Sequence, residues 1–106
     1  MNTKDIPNHY TSLKQRFPKT MEAIENLGST VVDEGPLDRK AAHLVKLAAA
    51  AVSGSEGAVH SHTRRALEAG ASTDEIYHAL LILVPTVGFP KMAAAISWAD
   101  DVIRKQ

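Results

Sequence analysis

The chain has 106 residues, enough for one compact domain that buries roughly 65% of the surface its unfolded form exposes. Hydrophobic residues at 44% and charged residues at 23% match a globular protein rather than a disordered one. Twelve Lys and Arg balance twelve Asp and Glu, so the basic footprint of a nucleic-acid binder or an acidic-membrane binder is missing. Cysteine is absent, which excludes disulfides, thiolate metal sites and thiol-based redox or nucleophilic chemistry. Residues Met1 to His9 are polar, and no stretch approaches the ~20 apolar residues that span a bilayer. These features predict a single soluble, cytoplasmic domain over residues 1–106 with no nucleic-acid or membrane partner.

The first helical segment is expected from about Pro7 to Leu27, with Leu13, Phe17, Met21, Ile24 and Leu27 at three- and four-residue spacing. Pro18 should split it, because proline lacks an N–H and biases Phe17 away from helical angles. The second half is expected to stop at Gly28, and Pro36 can open the next helix. From Leu37 to Val52 the positions Leu37, Ala41, Leu44, Val45, Ala48 and Ala51 form a stripe, and Ser53-Gly54-Ser55 ends it. Glu56 to Ala69 is helical again, with Gly70 placed as the left-handed residue past its end. Ser72-Thr73-Asp74-Glu75 is a capping-box signature leading into Ile76, Leu80, Leu81 and Val84. Pro85 and Gly88 end that helix, and Pro90 opens a last one carrying Met92, Ala93, Ile96, Ala99 and Ile103. No alternating run reads as a strand. The fold class is all-α, a bundle of five or six helices with short connections.

The histidines are the residues with chemistry to offer. If Ser53-Gly54 turns a helical hairpin, His43 lies roughly 16 Å back and His62 roughly 13 Å forward at 1.5 Å per residue, nearly level on antiparallel arms. Ser55, Ala58, His62 and Ala66 share one face of the second arm, and His43 lines up with Leu47 and Ala50 on the first. A metal site built on His43 and His62 would need a third ligand, and His60 points about 200° away from His62, so the reading includes neither a metal nor any other cofactor. His60, with Glu56 and Arg64 four residues away, suits a solvated or intersubunit face, while His9 and His78 are read as surface residues. Trp98 lies off the main stripe of its helix, at a subunit contact or partly in the core.

The stretches L-D-R-K-A-A-H-L-V-K-L-A-A-A-A (Leu37 to Ala51), S-E-G-A-V-H-S-H-T-R-R-A-L-E-A-G-A-S-T-D-E-I (Ser55 to Ile76) and V-G-F-P (Val87 to Pro90) resemble the carboxymuconolactone decarboxylase and alkyl-hydroperoxidase-D-like family. The most specific part is H-T-R-R-A-L-E-A-G-A-S. The resemblance implies an all-helical fold assembled as trimers or hexamers with sites near subunit contacts. The peroxidase branch carries C-x-x-C-x-x-x-H and an upstream relay glutamate. With the motif histidine on His62, the cysteines fall on Ser55 and Ala58 and the glutamate on His43. A peroxidase cycle needs one thiolate to attack peroxide and a second thiol to resolve the product, and neither is present. The decarboxylase branch uses no cysteines and keeps a histidine at the His62 position.

The candidate catalytic residues are therefore His62 as the main acid/base group, His43 assisting it, and Ser55 on the same helix face as His62. The expected chemistry is of the lyase or decarboxylase type on a small carboxylate or lactone. The alternatives are a non-catalytic oligomeric small-molecule-binding protein, and peroxidase activity, which the lack of cysteine disfavours. No arginine lies on the His62 face, so Arg64 or Arg65 would anchor a carboxylate across a subunit boundary. Alanine-rich helices with several apolar faces carry more apolar surface than a small bundle hides, which favours a homotrimer or homohexamer. Light scattering at micromolar concentration should show that assembly, and a stable monomer would overturn the expectation.

Overall fold

The computed structural model describes residues 8–105, and every regular element among them is helical. In chain order these are α1 (Asn8–Arg16), α2 (Pro18–Asp33), α3 (Arg39–Ser53), α4 (Glu56–Glu68), α5 (Thr73–Leu81), α6 (Val84–Val87) and α7 (Phe89–Ile103). Six are nine residues or longer and α6 is a four-residue turn of helix, which agrees with the expected all-α class. None of the described helices is long and apolar enough to cross a membrane. The chain divides into two compact units, one reaching to Pro36 and the other beginning at Leu37.

In the first unit, Pro18 separates the helices as the sequence requires. Phe17 takes φ −133° and ψ 64°, outside the helical region, and Pro18 opens α2 where its missing donor costs nothing. The Arg16 guanidinium lies over the Phe17 ring, 5.2 Å from its centroid. Tyr10 donates from its hydroxyl to Glu25, and Lys14 pairs with the same carboxylate at 3.2 Å, so both contacts tie α1 to α2. The expected start near Pro7 lies outside the described residues. Gly28 does not end α2, which continues to Asp33. Positive φ occurs only at Gly54, Gly70 and Gly88 among the described residues, so Gly28 stays within the helix at a propensity cost of about 1 kcal/mol. Val32, three turns beyond Met21, is buried with it, and the helix gains that contact by running on.

The second unit holds the core. Pro36 does not open α3. Asp38 caps the helix instead, accepting from the Ala41 backbone N–H at 2.8 Å, and the first helical residue is Arg39. At the other end Gly54, with φ 71°, donates to Ala50 and Ala51, while the Ser55 N–H reaches the Ala50 carbonyl at 3.2 Å. The left-handed glycine thus satisfies the orphan carbonyls and reverses the chain in one step. Ser55 caps α4 by accepting from the Ala58 N–H at 3.2 Å. Gly70, with φ 99°, follows the end of α4, and the Ala71 N–H bonds to the Ala66 carbonyl. The capping box is complete: the Glu75 N–H donates to Ser72 Oγ at 3.0 Å, and the Ser72 N–H donates to Glu75 Oε1 at 2.9 Å.

Leu47, Ala50, Ala51, Val59, Ala66, Ala71, Ile76, Leu80, Ala95 and Ala99 form the core, with Leu44, Ile96, Trp98 and Ile103 packed against it. On α3 the buried face is His43, Leu47, Ala50 and Ala51, whereas Leu37 and Val45 of the expected stripe are exposed. That helix is apolar over most of its circumference, so periodicity alone does not select the side that meets α4. On α7 Met92, Ala95 and Ala99 are buried, and Trp98 is partly buried against the core. Polar ties cross between helices around this core. Tyr77 donates to Asp100 at 2.6 Å, Lys40 pairs with Glu75 at 3.0 Å, and Lys91 donates to the Val52 carbonyl at 2.9 Å.

Ser72→Ala removes one bond of the capping box and leaves the first turn of α5 short of an acceptor. Urea denaturation should show a loss of about 1 kcal/mol. Leu80→Ala, which empties a fully buried site, should cost about 2–5 kcal/mol.

Candidate functional site

The hairpin of α3 and α4 is the most extensively packed pair of helices in the chain. It brings His43 and His62 together, a meeting that the turn-centred count allowed without deciding how the rings face. The two imidazoles stack with centroids 6.1 Å apart and planes inclined by 29°. His43 is 3% exposed and His62 is partly buried. Both Nδ1 atoms are buried and neither has a hydrogen-bond partner, so no hydrogen bond joins the rings through Nδ1. Thr63, next in sequence to His62, is fully buried and its Oγ1 is likewise unpartnered. A buried polar atom left without a partner costs about 1–3 kcal/mol, so three within one hairpin is a concentration of unsatisfied polarity.

Burial is the first cause that lowers both imidazoles, because it penalises the protonated form. Lys46 and Arg65 push in the same direction, and His62 falls to about 4, with a smaller contribution from His43. For His43, Arg39 adds to Lys46 and Arg65, while Glu68 opposes them. Lys46 is itself lowered, first by burial and then by Arg65. Mutual repulsion of the rings is therefore a minor cause beside desolvation. At neutral pH both histidines are uncharged bases in a positive local field.

Ser55 stands at the N-terminus of α4, exposed, with its hydroxyl used as the helix cap. It is seven residues from His62, roughly 10 Å along the helix. Ala58 shares their face and is partly buried against the core. His60 points elsewhere, as the 200° separation demands. Its Nε2 lies 3.0 Å from Asp101 on α7 and 4.0 Å from Glu56. Glu56, His60 and Asp101 are the one group of three such side chains clustered closely among the described residues, and their exposure suits an ion-pair tie between α4 and α7. Neither His43 nor His62 belongs to that group. His9 and His78 are exposed, as expected.

Two residues carry more weight here than the sequence suggested. Lys46 lies three positions after His43 and Arg65 three after His62, spacings that put each one turn along its helix from an imidazole. Arg65 of the same chain is close enough to act on both rings, so its influence does not require a subunit boundary. The spacing was visible in the sequence. What it lacked was the rotation of α3 that puts His43, Leu47, Ala50 and Ala51 on the buried side.

The family model for the carboxymuconolactone decarboxylase family matches residues 18–101, so the chain belongs to that family. An uncharacterized protein of Methanocaldococcus jannaschii is 33% identical over 94 residues, covering 89% of this chain and 88% of the relative. The fold is similar to the crystal structure of an apo carboxymuconolactone decarboxylase family protein from Legionella pneumophila, with a TM-score of 0.80. That similarity covers 96% of this chain and 91% of the other at 22% identity.

Lowered histidines make stability depend on pH with a definite sign. Above about pH 6.5 the imidazoles are neutral in both the folded and unfolded chain, so they contribute nothing. As pH falls from 6.5 toward 4, the unfolded chain takes up protons that folded His62 refuses, and stability drops by up to about 1.4 kcal/mol per pH unit through His62, with His43 acting in the same direction. Below about 4 the loss levels off. Urea midpoints measured between pH 7.5 and 5 should therefore fall, and His62→Ala should flatten the slope. A flat wild-type profile would mean that the pair protonates as easily inside the fold as in water.

Proposed function

We propose that the chain is a cysteine-free carboxymuconolactone decarboxylase-like enzyme that performs lyase- or decarboxylase-type acid/base chemistry on a small carboxylate or lactone. The observation that carries this reading is the stacked His43/His62 pair, whose Nδ1 atoms are buried and unpartnered, inside the hairpin that the family motif occupies. In a decarboxylation the bond to the departing carboxylate breaks and its electron pair enters a conjugated lactone carbonyl. A proton must then reach the resulting carbanionic carbon. His62 is the group assigned to move that proton, with His43 stacked on it as the assisting base. Ser55 is assigned a positioning role, since its hydroxyl caps the helix that carries His62. No cofactor is assigned, and thiol peroxidase chemistry is excluded by the lack of any sulfhydryl.

A second reading, a non-catalytic small-molecule-binding protein on the same fold, is favoured by one observation: neither imidazole has a hydrogen-bond partner at Nδ1 to fix its tautomer. In both readings the chain is assigned to the cytoplasm and works as a homotrimer or homohexamer. Exposed Val45, Val52, Leu81, Ile82 and Phe89 support that assembly, since they leave apolar surface on several helices of the second unit.

A screen of small unsaturated carboxylates and lactones, following CO2 release or the ultraviolet band of the conjugated ring, separates the two. Turnover in the wild type that falls at least a hundredfold in His62→Ala supports the enzyme. Binding without turnover supports the second reading. Peroxide with a thiol reductant should give no consumption above buffer.

A further inference from the structure

The side of α4 turned away from the imidazole pair carries a second cluster of ligand-bearing side chains, because His60 points about 200° from His62 around the helix. Glu56 and His60 are four residues apart on α4, which places them on one face a turn apart. Asp101 reaches them from α7. Both helices belong to the second unit and pack through its core, with Val59 and Ala66 on α4 and Ala95 and Ala99 on α7. The His60 Nε2 lies 3.0 Å from Asp101 Oδ2 and 4.0 Å from Glu56 Oε2, and one ligand atom from each residue lies within 4.8 Å of the other two. A hydrogen bond from His60 serves Asp101 alone, since 4.0 Å to Glu56 is beyond hydrogen-bond reach. Even a protonated ring brings one positive charge to two carboxylates, so the three side chains together keep a net negative charge in a small volume.

We propose that Glu56, His60 and Asp101 bind one first-row divalent cation of the zinc type, which clamps α4 to α7 on the far side of α4 from the imidazole pair. Two positive charges balance the two carboxylates, and the His60 Nε2 lone pair supplies a nitrogen donor with the ring proton on Nδ1. Adjacent donors around such an ion stand about 3.0–3.4 Å apart when each is about 2.0–2.2 Å from it. The 3.0 Å spacing of His60 and Asp101 already meets that requirement. Glu56 is 4.0 Å from the imidazole and exposed, so a turn of its side chain closes the difference without moving either helix. An imidazole among the donors selects zinc, nickel or copper over magnesium and calcium, which prefer oxygen alone. Three protein donors leave the remaining position to water, and Arg64 and Lys105 follow His60 and Asp101 by four residues each, adding positive charge one turn on. Affinity is therefore that of a surface site, micromolar rather than nanomolar. The cation takes no part in the reaction proposed above and acts on the fold alone.

Zinc chloride titrated into the 106-residue chain at neutral pH, followed by calorimetry, should show one ion per chain at micromolar affinity. Magnesium and calcium should bind about tenfold more weakly or less. Glu56→Gln, His60→Gln and Asp101→Asn should each weaken zinc about tenfold or more. His78→Gln, which changes an exposed histidine outside the cluster, should leave zinc binding as it is. Asp101→Asn keeps an oxygen acceptor for the His60 N–H, so this variant separates coordination from the hydrogen bond between the helices. In NMR spectra, zinc should move the His60 ring resonances ahead of those of His9 and His78. It should also raise the thermal midpoint of the wild type and of His78→Gln, but not that of Asp101→Asn. Midpoints without zinc verify that each variant folds. No zinc binding at submillimolar concentration, undiminished affinity in His60→Gln or in both carboxylate variants, or magnesium binding as tightly as zinc would overturn the proposal.

Discussion

The close approach of α3 and α4 is the constraint on which the second unit depends. Two helices can pack at short range only where side chains are small, and Ala50, Ala51 and Ala66 supply that surface in the buried core. Gly54 completes the arrangement, because its left-handed backbone lets the chain reverse directly after Ser53 while the last carbonyls of α3 remain bonded. The imidazoles are level with each other as a result of this geometry. Their burial in this geometry is the first cause of their lowered basicity.

The site is polar on an otherwise apolar hairpin, and the fold gives up stability there. Buried His43 and Thr63 replace what hydrocarbon would do more cheaply, and none of the three orphaned atoms is satisfied by a neighbouring helix. The surrounding structure compensates locally. The capping box on α5, the Tyr77–Asp100 bond and the Lys91 contact to the end of α3 all lie outside the hairpin interior and brace it from α5 and α7. Stability is thus concentrated around the rings and withheld from them.

Much of this was legible in the sequence, for reasons that can be named. Pro18, Gly70, Ser72, Glu75 and Pro90 act through backbone chemistry that operates within a few residues, and the helices begin or end there. The level placement of His43 and His62 followed from counting outward from Gly54, because helix rise is nearly constant. Gly28 and Pro36 misled, since each is compatible with a helix boundary without enforcing one: a buried Val32 outweighed the first, and the Asp38 cap the second. The rotation of α3 was hidden by its alanine-rich composition, which offers a core-compatible surface on almost every side. That concealed which residues of α3 face the core, and the pairing of His60 with Asp101 was concealed by a sequence separation of 41.

The stacking of His43 on His62 also sets how the chain can tolerate changes in length. An added or deleted residue within the turn around Gly54 can be absorbed by loop backbone at modest cost. The same change anywhere between Glu56 and His62 would rotate the imidazole by about 100° and shift it by about 1.5 Å, carrying it off its partner while the helix itself survived. The segment that looks most regular is therefore the one with least freedom to drift: its register is fixed by two rings at its far end.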